Sequence, residues 1–246
     1  MMNVCPNLID LKMKIKIPDV TLICLDNTPK IEQSLNAIYT SIKGIDFGAV
    51  KLISSSQLIS KYEKSLLEDN IIMEEMIFDI KSINDYSKYC IYDLTNHVNT
   101  SHCLTVQWDG FVLHPEKWDD KWLNYDYIGA PWEYSDNSYL DPWGNHQQVG
   151  NGGFSLRSKK LLDVPKNAYI HFDVNWGNFY KHMNANNFAE DGNICVHNRH
   201  IYENLGCKFA PVDVAVRFSQ EKRIPECEGI APFGFHYHLP PGVELV

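Results

Sequence analysis

The strongest constraint on the fold is an alternation of short apolar runs with amphipathic stretches. Val20-Thr21-Leu22-Ile23-Cys24-Leu25 has the length of a buried strand and is stopped by Asp26-Asn27. Pro29 then leads into Ile31–Tyr39, where Leu35, Ile38 and Ile42 recur at helical spacing. Ala49–Ile53 repeats the strand signal and closes on Ser54-Ser55-Ser56, with a further helical stretch over Leu58–Leu67. The spacing next predicts a helix over Ile71–Ile83, with Ile72, Met76, Ile80 and Ile83 on one face, then strands at Tyr89–Tyr92 and Cys103–Val106. Strands that alternate with helices build an α/β domain of Rossmann type, a mostly parallel central sheet covered by helices.

A chain of 246 residues suits one such domain. The expected division is an N-terminal extension over 1–19, the domain over 20–240 and a tail over 241–246. Acidic residues outnumber basic ones, 31 to 22, and a net charge of -9 disfavours a nucleic-acid partner or an anionic membrane. No apolar stretch approaches the roughly 20 residues of a transmembrane segment. Lys12, Lys14 and Lys16 break up the N-terminus, so no signal-peptide pattern forms. The seven cysteines are widely spaced without a CxxC pair, which predicts buried thiols and a cytoplasmic, reducing location.

After Asp109 the texture changes, with Trp118, Trp122, Trp132 and Trp143 interleaved among aspartate, proline and glycine. Gln107-Trp108-Asp109-Gly110 follows directly on the strand ending at Val106, and in open α/β sheets ligands bind outside the carboxyl ends of strands. A carboxylate at Asp109 suits Mg²⁺ or Mn²⁺ or, more plainly, the cap of a turn. Gly150-Asn151-Gly152-Gly153 matches neither GxGxxG nor the Walker loop, yet it offers backbone amides and the Asn151 side chain to hydroxyls or phosphate oxygens. A tight structural turn is the simpler reading of the same residues. Glu190-Asp191 opens a predicted helix, where a carboxylate serves as cap or as general base. His236 and His238 share a face if that segment is a strand. Ser155 lacks a GxSxG elbow and no HExxH occurs, which disfavours serine- and zinc-hydrolase chemistry.

Taken together, the runs Val106–Gly110, Tyr125–Trp132, Gly150–Arg157, Glu190-Asp191, Val216–Glu221 and Pro232–His236 resemble a family of unknown function, DUF5672. Their order is similar to that of nucleotide-sugar glycosyltransferases with the GT-A fold. The resemblance implies a GT-A-like Rossmann-type domain in which Leu25, Asp26, Asn27 and Thr28 touch the nucleotide. It implies that Asp109 is the last aspartate of a metal-binding DxD motif, that Gly152 and Gly153 lie near donor and acceptor, and that His236 is a metal or phosphate ligand. Asp191, beside Glu190, takes the place of the catalytic acid pair. Gln107 stands where the motif has its first aspartate.

The implied reaction moves a sugar from a nucleoside diphosphate sugar to an acceptor hydroxyl on a glycan or similar molecule, assisted by Mn²⁺ or Mg²⁺, with Asp191 as base and inversion at the anomeric carbon. Arg157 and Arg217 are candidates for phosphate contact, and Trp132 and Trp143, ahead of Trp176, for an acceptor platform. The alternative is a binding protein for carbohydrate or nucleotide sugar that keeps the fold without turnover.

Overall fold

The computed structural model describes residues 14–134, 139–172 and 189–237. Its main sheet has six strands in the order β3-β2-β1-β4-β6-β5. The strands are β1 (Ile15–Leu25), β2 (Ile45–Ser54), β3 (Ile72–Glu75), β4 (His102–Val106), β5 (Tyr127–Ile128) and β6 (Ser155–Ser158). β1 pairs in parallel with β2 and with β4, and β2 with β3. β6 runs antiparallel to β4 and to β5. The result is a mostly parallel mixed sheet flanked by helices, consistent with a GT-A-like Rossmann-type single domain.

Alternate residues of β1 feed two separate cores. Val20, Leu22 and Cys24 pack into one with Leu35 and Ile38, while Ile23 and Leu25 pack into the other with Ile53 and Met76. A strand covered on both faces reads as a continuous apolar run, which is why this one stands out in the sequence. The helix α1 (Ile31–Ile42) lays Ile31, Leu35 and Ile38 against the sheet, as its spacing predicts. Because β2 and β4 lie on opposite sides of β1, the strand order reverses there, and the loops after β1 and β4 open a crevice at their carboxyl ends.

Three local expectations fail. β1 begins at Ile15 instead of Val20, pairing Ile15–Ile17 with Ile45–Phe47 before an irregularity in register. Ile71–Ile83 is not a helix: Ile72–Glu75 adds a strand to the edge of the sheet, and Ile72, Ile77 and Ile83 remain exposed. Pairing with β2 overrides the helical spacing there, helped by Lys51, which donates to Glu74 at 2.6 Å. Tyr89–Asp93 is a π-helical turn continuing a short helix, Ile83–Lys88, instead of a strand. A run of four residues with apolar character does not by itself distinguish the two.

A second, two-stranded sheet pairs β7 (Ser219–Gln220) in parallel with β8 (Gly234–Phe235). It stands on an aromatic cluster of Trp118, Trp122, Phe154, Phe218 and Phe233. Among the described residues Cys24, Cys90, Cys103, Cys195, Cys207 and Cys227 are free and buried, and no helix is long and apolar enough to cross a membrane.

Candidate functional site

Two backbone hydrogen bonds between Gln107 and Gly110, 2.9 and 3.0 Å, close a tight turn at the end of β4. Trp108 and Asp109 occupy its tip. The Asp109 carbonyl accepts from the Tyr237 amide at 2.7 Å, tying the turn to the chain after β8. The Asp109 side chain is 13 % exposed, and its Oδ1 is buried without a hydrogen-bond partner, 3.6 Å from His236 Nε2. A buried carboxylate oxygen without a donor is costly, so it marks a position adapted to a further contact.

The glycine-rich run is a wall built for close packing. A Cβ at Gly152 falls 1.8 Å from Glu190 Oε1, and one at Gly153 falls 2.1 Å from His236 Nε2. Any side chain at either position therefore displaces a carboxylate or the imidazole. Asn151 adopts a left-handed conformation, φ 58°, which asparagine tolerates better than most residues. Its side-chain amide lies 3.0 Å from His236 Nδ1.

Glu190 and Asp191 open a short helical segment, Glu190–Gly192, and their carboxylates take different partners at the wall, Arg157 for the first and the Gly152 amide for the second. Glu190 accepts from Arg157 at 2.9 Å, with both side chains buried. Arg157 also donates to Ser155 Oγ and the Gly152 carbonyl, and is fully enclosed. Its guanidinium supports the loop from beneath, which corrects the expectation of an Arg157 open to a phosphate. Arg217 is exposed, on the helix Val212–Phe218.

Asp191 Oδ2 accepts from the Gly152 amide at 3.1 Å and Oδ1 from its neighbour Gly192 at 2.7 Å. Partly exposed at its surface, the carboxyl is nonetheless seated deeply. Burial, then the charges of Glu190 and Glu221, push its pKa up to about 7 against the two amide hydrogen bonds.

His236 gathers the site. Its Nε2 lies 3.2 Å from Gln107 Oε1, and its Nδ1 faces Glu221 Oε1 at 3.7 Å. Burial by itself lowers an imidazole pKa, but Glu221, Asp109 and Asp191 outweigh it and hold His236 above its ordinary value. Gln107 in turn donates to the Tyr86 hydroxyl at 2.6 Å. Glu221 is the functional candidate that motif reasoning missed. It follows β7 directly as His236 follows β8, so the parallel pairing sets the two side by side. Both sit at the ends of runs that the family resemblance singles out, and only their pairing was hidden. His238 and Trp176 lie outside the described residues.

Beside Gln107 and Trp108 opens a cavity of about 570 Å³ at the ends of β1 and β4, lined by Leu25, Asp26, Asn27, Thr28 and Lys30 from the first loop and by Ile80–Ile83 and Tyr86 opposite. Asp26 accepts from the Thr28 amide at 2.7 Å and the Ser34 hydroxyl at 2.5 Å, so its carboxylate shapes the loop. Asn27 donates to the Ile80 carbonyl at 2.9 Å and joins the two walls. The expected tryptophan platform is not formed as a pair. Trp132 is buried, with its ring over Gly150 and stacked on Tyr139, whereas Trp143 is 64 % exposed and meets His200 edge-on. Core packing claims the first and solvent the second.

Among the described residues no group of three or more His, Cys, Asp or Glu side chains is arranged to hold a metal ion. Asp109 and His236 are two side chains of these types 3.6 Å apart, with the Gln107 amide oxygen 3.2 Å from His236.

A family model described as "Protein of unknown function (DUF5672)" matches residues 69–236, which include Asp109, the glycine loop, Asp191, Glu221 and His236. The chain belongs to the DUF5672 family. The match leaves out β1, α1 and β2, so one wall of the cavity lies outside the region that defines DUF5672. No curated protein matches the sequence. Three solved structures resemble this DUF5672 protein in fold. Mannosyltransferase PcManGT from Pyrobaculum calidifontis, in complex with GDP-Man and Mn²⁺, is 13% identical over 84% of this chain and 60% of that chain, with a TM-score of 0.45. The 4-diphosphocytidyl-2C-methyl-D-erythritol synthase of Anaerococcus prevotii is 12% identical, covering 80% and 86%, at 0.41. HddC from Yersinia pseudotuberculosis is 14% identical, covering 61% and 80%, at 0.36.

Proposed function

We propose that this protein is a glycosyltransferase that moves a sugar from a nucleoside diphosphate sugar to an acceptor hydroxyl. The observation that carries the reading is the convergence of Asp109, Asp191 and His236 on one glycine-rich wall, next to a cavity of nucleoside size at the reversal of strand order. In this reading the nucleoside enters the cavity past Leu25, Asp26 and Asn27, and the diphosphate lies over the turn at Asp109. The sugar then lies toward Asp191, whose carboxylate is held at the Gly152 amide.

The acceptor oxygen attacks the anomeric carbon as the bond from that carbon to the phosphate oxygen breaks, and the bonding pair leaves with the nucleoside diphosphate. The proton of the acceptor hydroxyl passes to Asp191, whose pKa of about 7 suits a base at neutral pH. Attack from the face opposite the leaving group gives inversion. Glu190, held by Arg157, keeps the backbone on which Asp191 is mounted.

Asp109 Oδ1, Gln107 Oε1 and, once its imidazole has lost its proton, His236 Nε2 are the hard oxygens and nitrogen that would hold Mn²⁺ or Mg²⁺. Such an ion, when bound, neutralises charge on the leaving diphosphate. Glu221 orients the imidazole from its other nitrogen, as outer carboxylates do for histidine ligands.

One observation favours the binding-protein reading: Gln107 is neutral and already bonded to Tyr86 and His236. Incubation with a panel of nucleoside diphosphate sugars and Mn²⁺, with released nucleoside diphosphate as readout, separates the two. Consumption of a donor supports the transferase, binding without consumption supports the binder, and neither one defeats both.

A further inference from the structure

The Lys30 ammonium sits 3.3 Å from the centroid of the Trp108 ring. Both residues line the 570 Å³ cavity, one from the loop after β1 and the other from the turn after β4. Lys30 is exposed and Trp108 is 38 % exposed, so the contact lies at the surface of the cavity lining and is not part of a core. Lys30 and Lys81 are the cations lining this cavity among the described residues, whereas Asp109, Asp191 and Glu221 are all gathered around His236. A dianionic diphosphate entering here meets a strongly acidic neighbourhood, and Lys30 is the cation whose ammonium reaches across to the Asp109 turn, at Trp108. An ammonium on an exposed indole is a weak contact that a better partner for each group displaces.

We propose that Lys30 and Trp108 form a clamp for the donor: the indole face stacks on the nucleoside's base, and the ammonium released from it pairs with the diphosphate. The clamp rests on the reading of the cavity as a nucleotide-sugar site and adds the two side chains that grip it. It also accounts for the neutral Gln107 in the turn, since charge compensation comes in part from Lys30 on the opposite loop. Trp108 gives affinity without base selectivity, because every base offers a face to stack on.

Calorimetric titration of the full chain tests this, using uridine and guanosine diphosphates, the two nucleosides, and inorganic pyrophosphate, each with and without Mn²⁺. Lys30→Met is expected to weaken the diphosphates and pyrophosphate by roughly tenfold and to leave the nucleosides within about twofold. Trp108→Leu is expected to weaken the diphosphates and nucleosides by roughly tenfold and to spare pyrophosphate, with Trp108→Phe restoring most of the loss. Both positions are at the surface, so the variants keep their fold, as circular dichroism will verify. If the wild type binds a nucleoside diphosphate and either substitution leaves that affinity within about twofold, the clamp is wrong while the site stands. If the wild type binds none of these diphosphates, the nucleotide-sugar reading fails and the clamp fails with it.

Discussion

Beneath the glycine-rich wall, Glu190 meets the guanidinium of Arg157 in full burial; above it, Asp109, Asp191 and Glu221 share the single imidazole of His236. Glu190 and Asp191 are adjacent in sequence and carry the same group, yet one is neutralised by a partner and the other is pushed toward protonation. The lower face is matched in charge and shields its groups from solvent. The upper face has an excess of carboxylates over cations, which suits binding a cation or accepting a proton and contributes little to holding the chain together. The environment, not the residue type, divides support from chemistry.

Breaking the lower face should have the largest effect. Arg157→Ala leaves Glu190 buried and unpaired and is expected to cost about 3–5 kcal/mol of stability, measured by urea unfolding. Loss of less than about 1 kcal/mol would mean that the pair is not the support described. Gly153→Ala comes next, because its Cβ meets the His236 ring at 2.1 Å; overpacking of this kind costs about 1–3 kcal/mol, visible in the same unfolding curves.

Asp191→Asn sharpens the contrast through pH. The folded-state pKa of about 7 lies above the unfolded carboxylate's, so the folded form binds the extra proton. The stability associated with that proton is complete below the unfolded pKa, and it is lost as pH rises through about 7. Asparagine removes the charge beside Glu190, Glu221 and His236. The variant should therefore gain on the order of 1–3 kcal/mol at pH 8 and almost nothing at pH 4, while any transferase activity falls by about 10²–10⁴-fold. Equal stability of the two proteins at both pH values would remove the electrostatic account of the upper face. The smallest effect belongs to Trp143→Ala, within about 0.5 kcal/mol by thermal unfolding because the ring is largely in solvent.

The sequence carries the central sheet because β1 is buried on both faces over Val20–Leu25 and is apolar there apart from Thr21, and the buried β4 keeps Cys103, Leu104 and Val106. It misled at Ile71–Ile83, where an edge strand needs only one covered face and the isoleucines left in solvent imitate a helical stripe. Asp109, Asp191 and His236 were legible as single stations, since each follows or opens a regular element. Glu221 was not, because its partner is far along the chain and meets it only through the parallel pairing of β7 with β8. Arg157 beside the glycine run looked like a phosphate ligand. β6 is covered on both faces, so Arg157 is enclosed there, a burial that glycine spacing does not reveal.

The claim on which the rest depends is that the upper face holds a nucleotide-sugar donor at Asp109. Calorimetric titration of wild type and Asp109→Asn with nucleoside diphosphate sugars, each with and without Mn²⁺, tests it most directly. The account predicts that at least one donor binds, that Mn²⁺ strengthens it, and that Asp109→Asn weakens it by roughly tenfold or more. Absence of binding by every donor, or a donor affinity indifferent to both Mn²⁺ and Asp109→Asn, would contradict it.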